Sequence, residues 1–379
     1  LAVNMHLWKP GSNSGRQMGE SQFSKAEMQV LVPAGELNAE MAFFEALDFR
    51  LEQIFPADDP AVAVMSGHGI EIRLDVGYEG PAPTLCLRTN SPEAWGGPRD
   101  LNAPSGTTIT YVAPHATPAQ PPAHHPLEIR RLTDAAPWII GRAGMHYRDL
   151  IPSRLGGSII ASHIRIPEGG PVPDRVHYHT VGFQLIHCLR GWVDLVYEDQ
   201  GPPFRLHAGE CVTQPPEIRH QVLRASDGLE VIEIGVPAVH MTTLDHDMTL
   251  PTAVMRPERT WAGQRFLRHQ LADAEWRPGY AEGAEICATG VEGATSGLAK
   301  VWKVKLAGEG GMRTHTADIE FTYLISGGLQ IEIEGEAHAL QAGDAFVAPR
   351  ETPYRVHCPS ESAELLLFSL YPAERSPAQ

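Results

Sequence analysis

Two stretches of the chain repeat the same arrangement of residues about 135 positions apart, and this repeat limits the folds open to the protein. Residues 174–191 and 209–220 match residues 312–327 and 343–354 in the spacing of glycines, prolines and polar side chains. Short apolar runs alternate with turn residues around both copies, which is typical of β-strands. Two β-rich units that repeat in this way predict two similar barrels in tandem.

The composition agrees with a folded, mainly β protein. Gly (36) and Pro (32) are frequent among the 379 residues, as expected for many turns between short strands. Apolar residues make up 42% and charged residues 20%, values near ordinary globular averages. The five cysteines lie far apart without a C-x-x-C pair, which favours buried free thiols: Cys86, Cys188, Cys211, Cys287 and Cys358.

The charge balance limits the partners of the protein. Its 30 Lys and Arg residues against 46 Asp and Glu give a net charge of −16, which argues against binding to nucleic acid. No run approaches the roughly 20 apolar residues that cross a bilayer, and the first residues lack the apolar core of a signal peptide. We therefore predict a cytoplasmic protein that acts on a small molecule and binds no membrane.

The N-terminal part is predicted to form a separate small module. Residues 1–25 include a Gly/Ser-rich piece, so we expect disorder or a cloning remnant there. From 26 to 112 the pattern reads β-α-β-β-β, with an amphipathic helix from Glu36 to Asp48. The segment from Phe43 to Phe49 resembles the corresponding segment of the vicinal-oxygen-chelate (glyoxalase-like) superfamily, which implies one half-module of that fold.

In that superfamily a metal site needs ligands from two half-modules. The first strand here has no His, no second half-module follows in sequence, and Glu71 alone cannot make a site. We expect a structural or dimerising role for this module. We also expect a homodimer, because exposed sheet edges need to be covered.

Two boundaries divide the rest of the chain. Five of the fourteen residues from 113 to 126 are proline, which predicts an extended linker. The apolar periodicity fades again around residues 252–263, between the two copies of the repeat. We therefore assign residues 127–252 to the first barrel and residues 253–379 to the second.

The first copy of the repeat contains a set of residues that suits a metal ion. Side chains two apart on a strand face the same side, so His177 and His179 can converge on one ion. Gln184 can reach the same point from the next strand, and His220 supplies a third imidazole after a Pro-rich turn. Three neutral imidazoles with open positions describe a catalytic type of divalent site rather than a closed structural one.

These spacings resemble the two cupin motifs, an H-X-H pair followed by an acid and a glycine, and a later G, P, G and H series. The resemblance to bicupins covers about two thirds of the chain and implies two cupin barrels (double-stranded β-helix or jelly roll) behind the small α+β module. Three positions depart from the motifs: Gly170 lies one residue too far from His177, Glu217 replaces a glycine, and Arg224 replaces the final Asn.

Gln184 stands where the resemblance implies Glu. An amide would leave the ion at a formal charge of +2, which makes it a stronger Lewis acid for an anionic substrate oxygen. The alternative is that Gln184 is a hydrogen-bonding wall residue beside a site of three histidines. The sequence leaves both interpretations open.

The second copy keeps the motif spacing but has lost residues needed for metal binding. Arg313 replaces the first His and Tyr354 the last, whereas His315 and Glu320 are retained. Because Arg cannot ligate a metal, we expect an Arg313–Glu320 ion pair and a structural second barrel. The alternative is a metal-free ligand pocket built on Arg313, His315, Glu320 and Tyr354.

Three further residues are candidates for catalysis. His163 and Arg165 share one face of a strand from Ile159 to Ile166 and could line the first barrel. Arg219, beside His220, could hold a substrate carboxylate through a bidentate pair. Strand polar residues facing solvent and a surface arginine are the alternatives.

The resemblance leaves three functions open, because cupins include enzymes of several classes and proteins that only bind. The first is a dioxygenase-type oxidoreductase that uses one divalent ion, Fe(II) by preference, and a substrate with vicinal oxygens. The second is a non-redox isomerase, decarboxylase or lyase with Zn, Mn or Ni. The third is a barrel that binds a small molecule without turnover.

Overall fold

The computed structural model describes residues 28–91, 100–112, 119–134, 138–239, 241–279 and 283–371. Strands account for most of these residues, so the predicted mainly β fold class is confirmed. The chain divides into two compact units, Leu1–Ala116 and Thr117–Gln379. The predicted disordered segment, residues 1–25, lies outside the described residues. No helix in the described ranges combines the length and apolar character needed to span a bilayer.

The first unit contains a four-stranded sheet covered on one face by a helix. Its elements are β1 (Gln29–Pro33), α1 (Leu37–Glu45), β2 (Arg50–Phe55), β3 (Val62–Gly67) and β4 (Ile70–Asp75). The strand order is β1-β4-β3-β2, with β1 parallel to β4 and the other neighbours antiparallel. The β-α-β-β-β order agrees with the sequence pattern, and the glyoxalase-like resemblance stays a prediction.

Apolar side chains at alternate positions along the strands form the core of this unit. Val32, Ile72 and Leu74 face the helix, where they join Phe44 in one apolar cluster. A three-stranded sheet follows, with the order β5-β7-β6: β5 (Thr84–Arg88), β6 (Asp100–Asn102) and β7 (Thr108–Val112). Cys86 is exposed on β5, in contrast to the prediction of a buried thiol, whereas the other four cysteines are buried and free.

The second unit contains the first barrel, which is built from two antiparallel sheets. The larger sheet has the order β23-β17-β14-β19-β11-β10-β9, and the smaller has the order β16-β15-β18-β13-β20, with β12 beside β18. The strands are β9 (Ile139–Ile140), β10 (His146–Asp149), β11 (Ile160–Ile166), β12 (Gly170–Pro171), β13 (His177–Thr180), β14 (Phe183–Arg190), β15 (Trp192–Tyr197), β16 (Phe204–His207), β17 (Cys211–Thr213), β18 (His220–Ala225), β19 (Leu229–Val236), β20 (Met241–Leu244) and β23 (Leu267–His269).

The second barrel curls around two long strands that pair with each other, β26 and β31. Its sheet runs β24-β25-β26-β31-β27-β30-β8, and β28 joins β29 to β31. The elements are β8 (Glu128–Arg130), β24 (Trp276–Pro278), β25 (Ala284–Ala288), α2 (Val291–Ala294), β26 (Ala299–Arg313), β27 (Ile319–Ser326), β28 (Gly328–Ile333), β29 (Glu336–Gln341), β30 (Ala345–Ala348) and β31 (Tyr354–Leu370). A small hairpin, β21 (Thr260–Trp261) with β22 (Gln264–Arg265), and 3₁₀ turns at Arg142–Gly144, Arg154–Gly156 and Leu271–Asp273 complete the unit.

The two barrels exchange one edge strand each. Strand β8, which precedes the first barrel, pairs with β30 of the second, and β23, which follows the first barrel, pairs with β17. These short strands carry no motif residue, so the repeat alone could not assign them to a barrel. Each of these two strands pairs with the barrel on the other side of a predicted boundary, and the boundaries at residues 127 and 253 stay predictions.

One apolar core lies between the barrels and fixes which side chains point inward. Along β14, Phe183 and Leu185 join this shared core, and Phe183 stacks on Phe368 of the second barrel with 5.4 Å between ring centroids. The intervening Gln184 and Ile186 therefore point into the first barrel. Truncating a buried Phe of this kind typically costs about 3–5 kcal/mol of stability, so this core holds the inner face of β14 in place.

Candidate metal centre

Three histidines of the first barrel converge at one point. His177 and His179 lie on β13, and His220 on β18 is the register partner of His177. One ligand atom from each ring lies within 4.8 Å of the others, and all three side chains are buried. Within the described ranges, no other set of three His, Cys, Asp or Glu side chains lies this close together.

The back of each imidazole is held by an oxygen atom. The Nδ1 atoms of His177 and His220 lie 2.7 and 3.0 Å from the backbone carbonyls of Arg175 and Ile218. Because a carbonyl only accepts, each Nδ1 carries the proton and each Nε2 carries the lone pair. The Nδ1 of His179 lies 3.0 Å from the hydroxyl of Thr242. Such contacts orient metal-binding histidines in many proteins.

The environment keeps the imidazoles of His177 and His220 neutral. Burial lowers the pKa of His220 well below its usual value, and the nearby His177 lowers it further. Burial and the Arg142 guanidinium lower the pKa of His177, although Asp174 acts in the opposite direction. Neutral imidazoles with oriented lone pairs are the form that binds a metal, so the triad can hold a divalent ion.

Gln184 contacts a carboxylate that the sequence analysis did not identify. Its Nε2 donates to Oε1 of Glu233 on β19 at 2.6 Å. Its own Oε1 is buried and accepts no hydrogen bond from the described residues. Because only the amide nitrogen can donate to a carboxylate, this orientation of the side chain is fixed. The geometry therefore gives Gln184 a hydrogen-bonding role, and its predicted ligation stays a hypothesis.

Arg142 is the second residue that the sequence analysis missed. It begins the 3₁₀ turn after β9, where Ala143 has a left-handed φ of 55°. Its Nη2 donates to Nε2 of His177 at 3.0 Å, and its Nη1 forms an ion pair with Asp174. A metal ion on His177 would need the same lone pair, so the guanidinium would have to move aside.

The imidazoles line a cavity between the two sheets, with a volume of about 80 Å³. The other charged or amide side chains of the lining are those of Arg142, Gln214 and Glu233. The remaining walls are apolar or aromatic: Met145, Tyr147, Ile164, Ile166, Ile186, Val193, Leu195, Tyr197, Val222, Leu229 and Val231. Burial and the charge of Glu233 raise the pKa of Tyr147 to about 12, so this phenol stays protonated.

The three predicted catalytic residues do not line this cavity. His163 and Arg165 face outward from β11, because Ile164 and Ile166 take the inward positions. His163 bonds to Glu230 at 2.8 Å, and Arg165 stacks on Trp138. The outer face of this sheet is covered by the second barrel, where Tyr323 packs against His163, so polar residues there are buried without facing the cavity.

Arg219 also points away from the cavity. Its Nε lies 3.1 Å from Asp245, and its guanidinium stacks over Tyr178, the outward-facing residue between the two histidines of β13. The adjacent His220 points inward, as alternation along a strand requires. Arg219 therefore supports the outer surface of the site and does not contact its contents.

The second barrel holds a polar network at the corresponding place. Oε1 of Glu320 accepts from Arg313 at 3.4 Å and from the Tyr354 hydroxyl at 2.9 Å, and its Oε2 accepts from Ser369 at 3.5 Å. Nε2 of His315 lies 3.0 Å from the carbonyl of Ala348. The predicted Arg313–Glu320 pair is present, and the structural role of this barrel stays a prediction.

Comparison with protein families gives one match, in the second barrel. Residues 300–371, in the second barrel, match the protein family described as Cupin domain. No curated protein matches the chain. Two similar solved structures are a salicylate 1,2-dioxygenase from Pseudaminobacter salicylatoxidans (18% identity, 68% of this chain and 88% of that chain, TM-score 0.47) and the S161A mutant of Bacillus subtilis oxalate decarboxylase (14% identity, 68% and 80%, TM-score 0.48).

Proposed function

We propose that the chain is a metal-dependent enzyme whose first barrel acts on a small oxygen-rich organic molecule, as a dioxygenase-type oxidoreductase. The observation that carries this proposal is the convergence of three buried imidazoles, two of them oriented by backbone carbonyls, in a cavity with largely apolar walls. A set of three neutral donors leaves coordination positions open for exchangeable ligands. When bound, an Fe(II) ion supplies Lewis acidity and the one-electron chemistry that O2 requires.

The residues of the chain have separate roles in this proposal. His177, His179 and His220 would hold the ion, and the backbone carbonyls behind them keep the rings in place. The Arg142 guanidinium at the cavity wall can pair with an anionic oxygen of the substrate. The apolar walls exclude water from the reacting groups, which strengthens every electrostatic contact inside the cavity.

A second candidate is a non-redox isomerase, decarboxylase or lyase that uses Zn, Mn or Ni. Such reactions need a group that moves protons, and the carboxylate of Glu233 lines the cavity. The same residues would bind the metal and substrate. The two candidates differ in whether turnover consumes O2.

The test uses the full chain reconstituted with Fe(II), with catechols and diketones as substrates and an oxygen electrode as the detector. We expect O2 uptake coupled to substrate loss, and neither in a His177→Ala/His179→Ala variant that retains its fold. Substrate loss without O2 uptake would replace the first candidate with the second. A protein that binds Fe(II) and these compounds but turns none of them over would contradict both.

A further inference from the structure

Glu233 is a carboxylate in the cavity that has no place in the metal-binding group. It lines the cavity beside the three histidines, yet it does not belong to the set of donor atoms that lie within 4.8 Å of one another. It lies on β19, where it is the register partner of Ile186, another wall residue. Its position therefore suits action on the contents of the cavity rather than coordination of an ion.

Gln184 holds this carboxylate in one orientation. The amide donates to Oε1 at 2.6 Å, and within the described part of the chain no hydrogen bond engages Oε2. An acidic residue at position 184 would place two carboxylates side by side, where like charges repel and the pair would share a proton. The amide avoids that repulsion and adds a hydrogen-bond donor. With Gln rather than Glu at position 184, Glu233 is the carboxylate of the site.

The walls indicate what this carboxylate acts on. Apolar side chains such as Ile164, Leu195, Val222 and Val231 surround most of the cavity, so a bound molecule must bury an apolar body. Beside His177, the Arg142 guanidinium offers a positive charge to an oxygen that becomes negative. A base and a cation that line one largely apolar cavity are the groups that enolise a carbonyl compound.

We propose that Glu233, positioned by Gln184, is the general base that removes a proton from the carbon next to the carbonyl group of an apolar-bodied ketone. The C–H bond breaks and an O–H bond forms on the carboxylate. The electron pair of the C–H bond becomes the C=C bond of an enolate, and the negative charge moves to the carbonyl oxygen. The step needs no oxidant, and it rests on the proposed function because the same cavity binds the substrate.

Deuterium exchange measures this step directly. The full chain is loaded with Zn(II), which is redox-silent, and incubated anaerobically with propiophenone in D2O, and deuterium at the carbon next to the carbonyl is followed by mass spectrometry. We expect the wild type to accelerate exchange over buffer, and Glu233→Gln to lower the rate by about 100-fold or more, a usual size for loss of a general base. Zn(II) content and thermal midpoint should stay unchanged.

A matched control lies on the same strand. Glu230 faces the opposite side of β19 and pairs with His163. The Glu230→Gln variant therefore loses the same charge outside the cavity, and it should catalyse deuterium exchange at the wild-type rate. For the positioning residue, Gln184→Met should lower the maximal exchange rate while the ketone concentration for half-maximal rate and the melting temperature stay the same.

The possible outcomes separate this inference from the proposed function. Equal exchange by wild type and Glu233→Gln, no acceleration by the metal-loaded wild type, or loss of Zn(II) from Glu233→Gln would overturn the role of Glu233 as a base. A wild type that holds no Zn(II) but exchanges in a Glu233-dependent way would support the inference and contradict the metal-dependent function.

Discussion

The two barrels place different polar groups on the same arrangement of strands. In the first, His177 and His220 bond through Nδ1 to backbone carbonyls, so the lone pairs at Nε2 point into a cavity. In the second, Glu320 accepts hydrogen bonds from Arg313 and Tyr354 inside the barrel. In the first barrel the Nε2 lone pairs face the cavity, although Arg142 donates to the Nε2 of His177 and would have to move aside for a ligand. In the second barrel the carboxylate of Glu320 is already satisfied by side chains across the barrel.

From this difference we expect ligand binding in the first barrel and a structural role for the polar network of the second. Removing one partner of a buried ion pair is costly, because the remaining charge loses its counterion in a medium of low dielectric. Removing a neutral imidazole leaves no uncompensated charge. Substitutions in the second barrel should therefore reduce the free energy of unfolding, whereas substitutions in the first should mainly reduce ligand binding.

We expect the largest effect, a loss of stability, when Glu320 is removed. Glu320→Ala removes the carboxylate that faces the largely buried Arg313, so we expect the free energy of unfolding to fall by about 3 kcal/mol or more. Glu233→Ala in the first barrel removes a hydrogen bond to a neutral amide and should cost about 1 kcal/mol. Urea denaturation of both variants measures the difference. Equal costs in the two barrels would show that the comparison is mistaken.

The second effect is a sensitivity to acid that the first barrel confers. Because folding lowers the pKa of His177 and His220, the unfolded chain binds protons first as the pH falls below about 6.5. Stability of the metal-free protein should then fall with decreasing pH, by at most about 1.4 kcal/mol per pH unit for each imidazole. His220→Gln should make this slope shallower in urea melts run with a chelator between pH 6.5 and pH 5.

One buried histidine outside the cavity serves as an internal reference for that measurement. Burial lowers the pKa of His187 to about 3, so it also contributes to the slope and remains in the variant. Some acid sensitivity should therefore persist in His220→Gln. A slope identical to that of the wild type would mean that His220 does not titrate differently in the folded and unfolded states.

The smallest expected effect concerns Arg142. Its guanidinium donates to the lone pair of His177 that a metal would use, and its positive charge repels a cation. Arg142→Gln should therefore tighten binding of a divalent ion by about fivefold, or about 1 kcal/mol, in competition with a chelator. The matched control is Arg219→Gln, on the outer face of the same barrel, which should leave affinity unchanged. Weaker binding by Arg142→Gln would mean that the arginine supports the site.

The sequence predicted the parts of the site that follow a fixed spacing. His177 and His179 are two apart on a strand, and the interval to His220 matches a motif, so their convergence could be expected. The Arg313–Glu320 pair could be expected because a cation replaced a ligand beside an acid. Both predictions needed only the period of a strand and the order of the motif residues.

Site residues outside the motif spacing could not be assigned to the cavity from the sequence. Glu230 and Glu233 are three apart and face opposite sides of β19, yet both faces of that strand carry buried apolar residues because the second barrel covers the outer one. The same cover buries His163 although this side chain faces away from the cavity. Arg142 lies in an irregular turn, where no period applies. Only the packing of one barrel on the other decides which face is inside.

The most direct test of the difference between the barrels is the metal content of three proteins purified without contact with affinity nickel. These are the wild type, His177→Ala/His179→Ala in the first barrel, and the matched Arg313→Ala/His315→Ala in the second. We predict near one equivalent of a divalent metal in the wild type, none in the first variant and near one in the second, provided each remains folded. Loss of metal from the second variant, or a wild type that stays metal-free after reconstitution, would contradict the account.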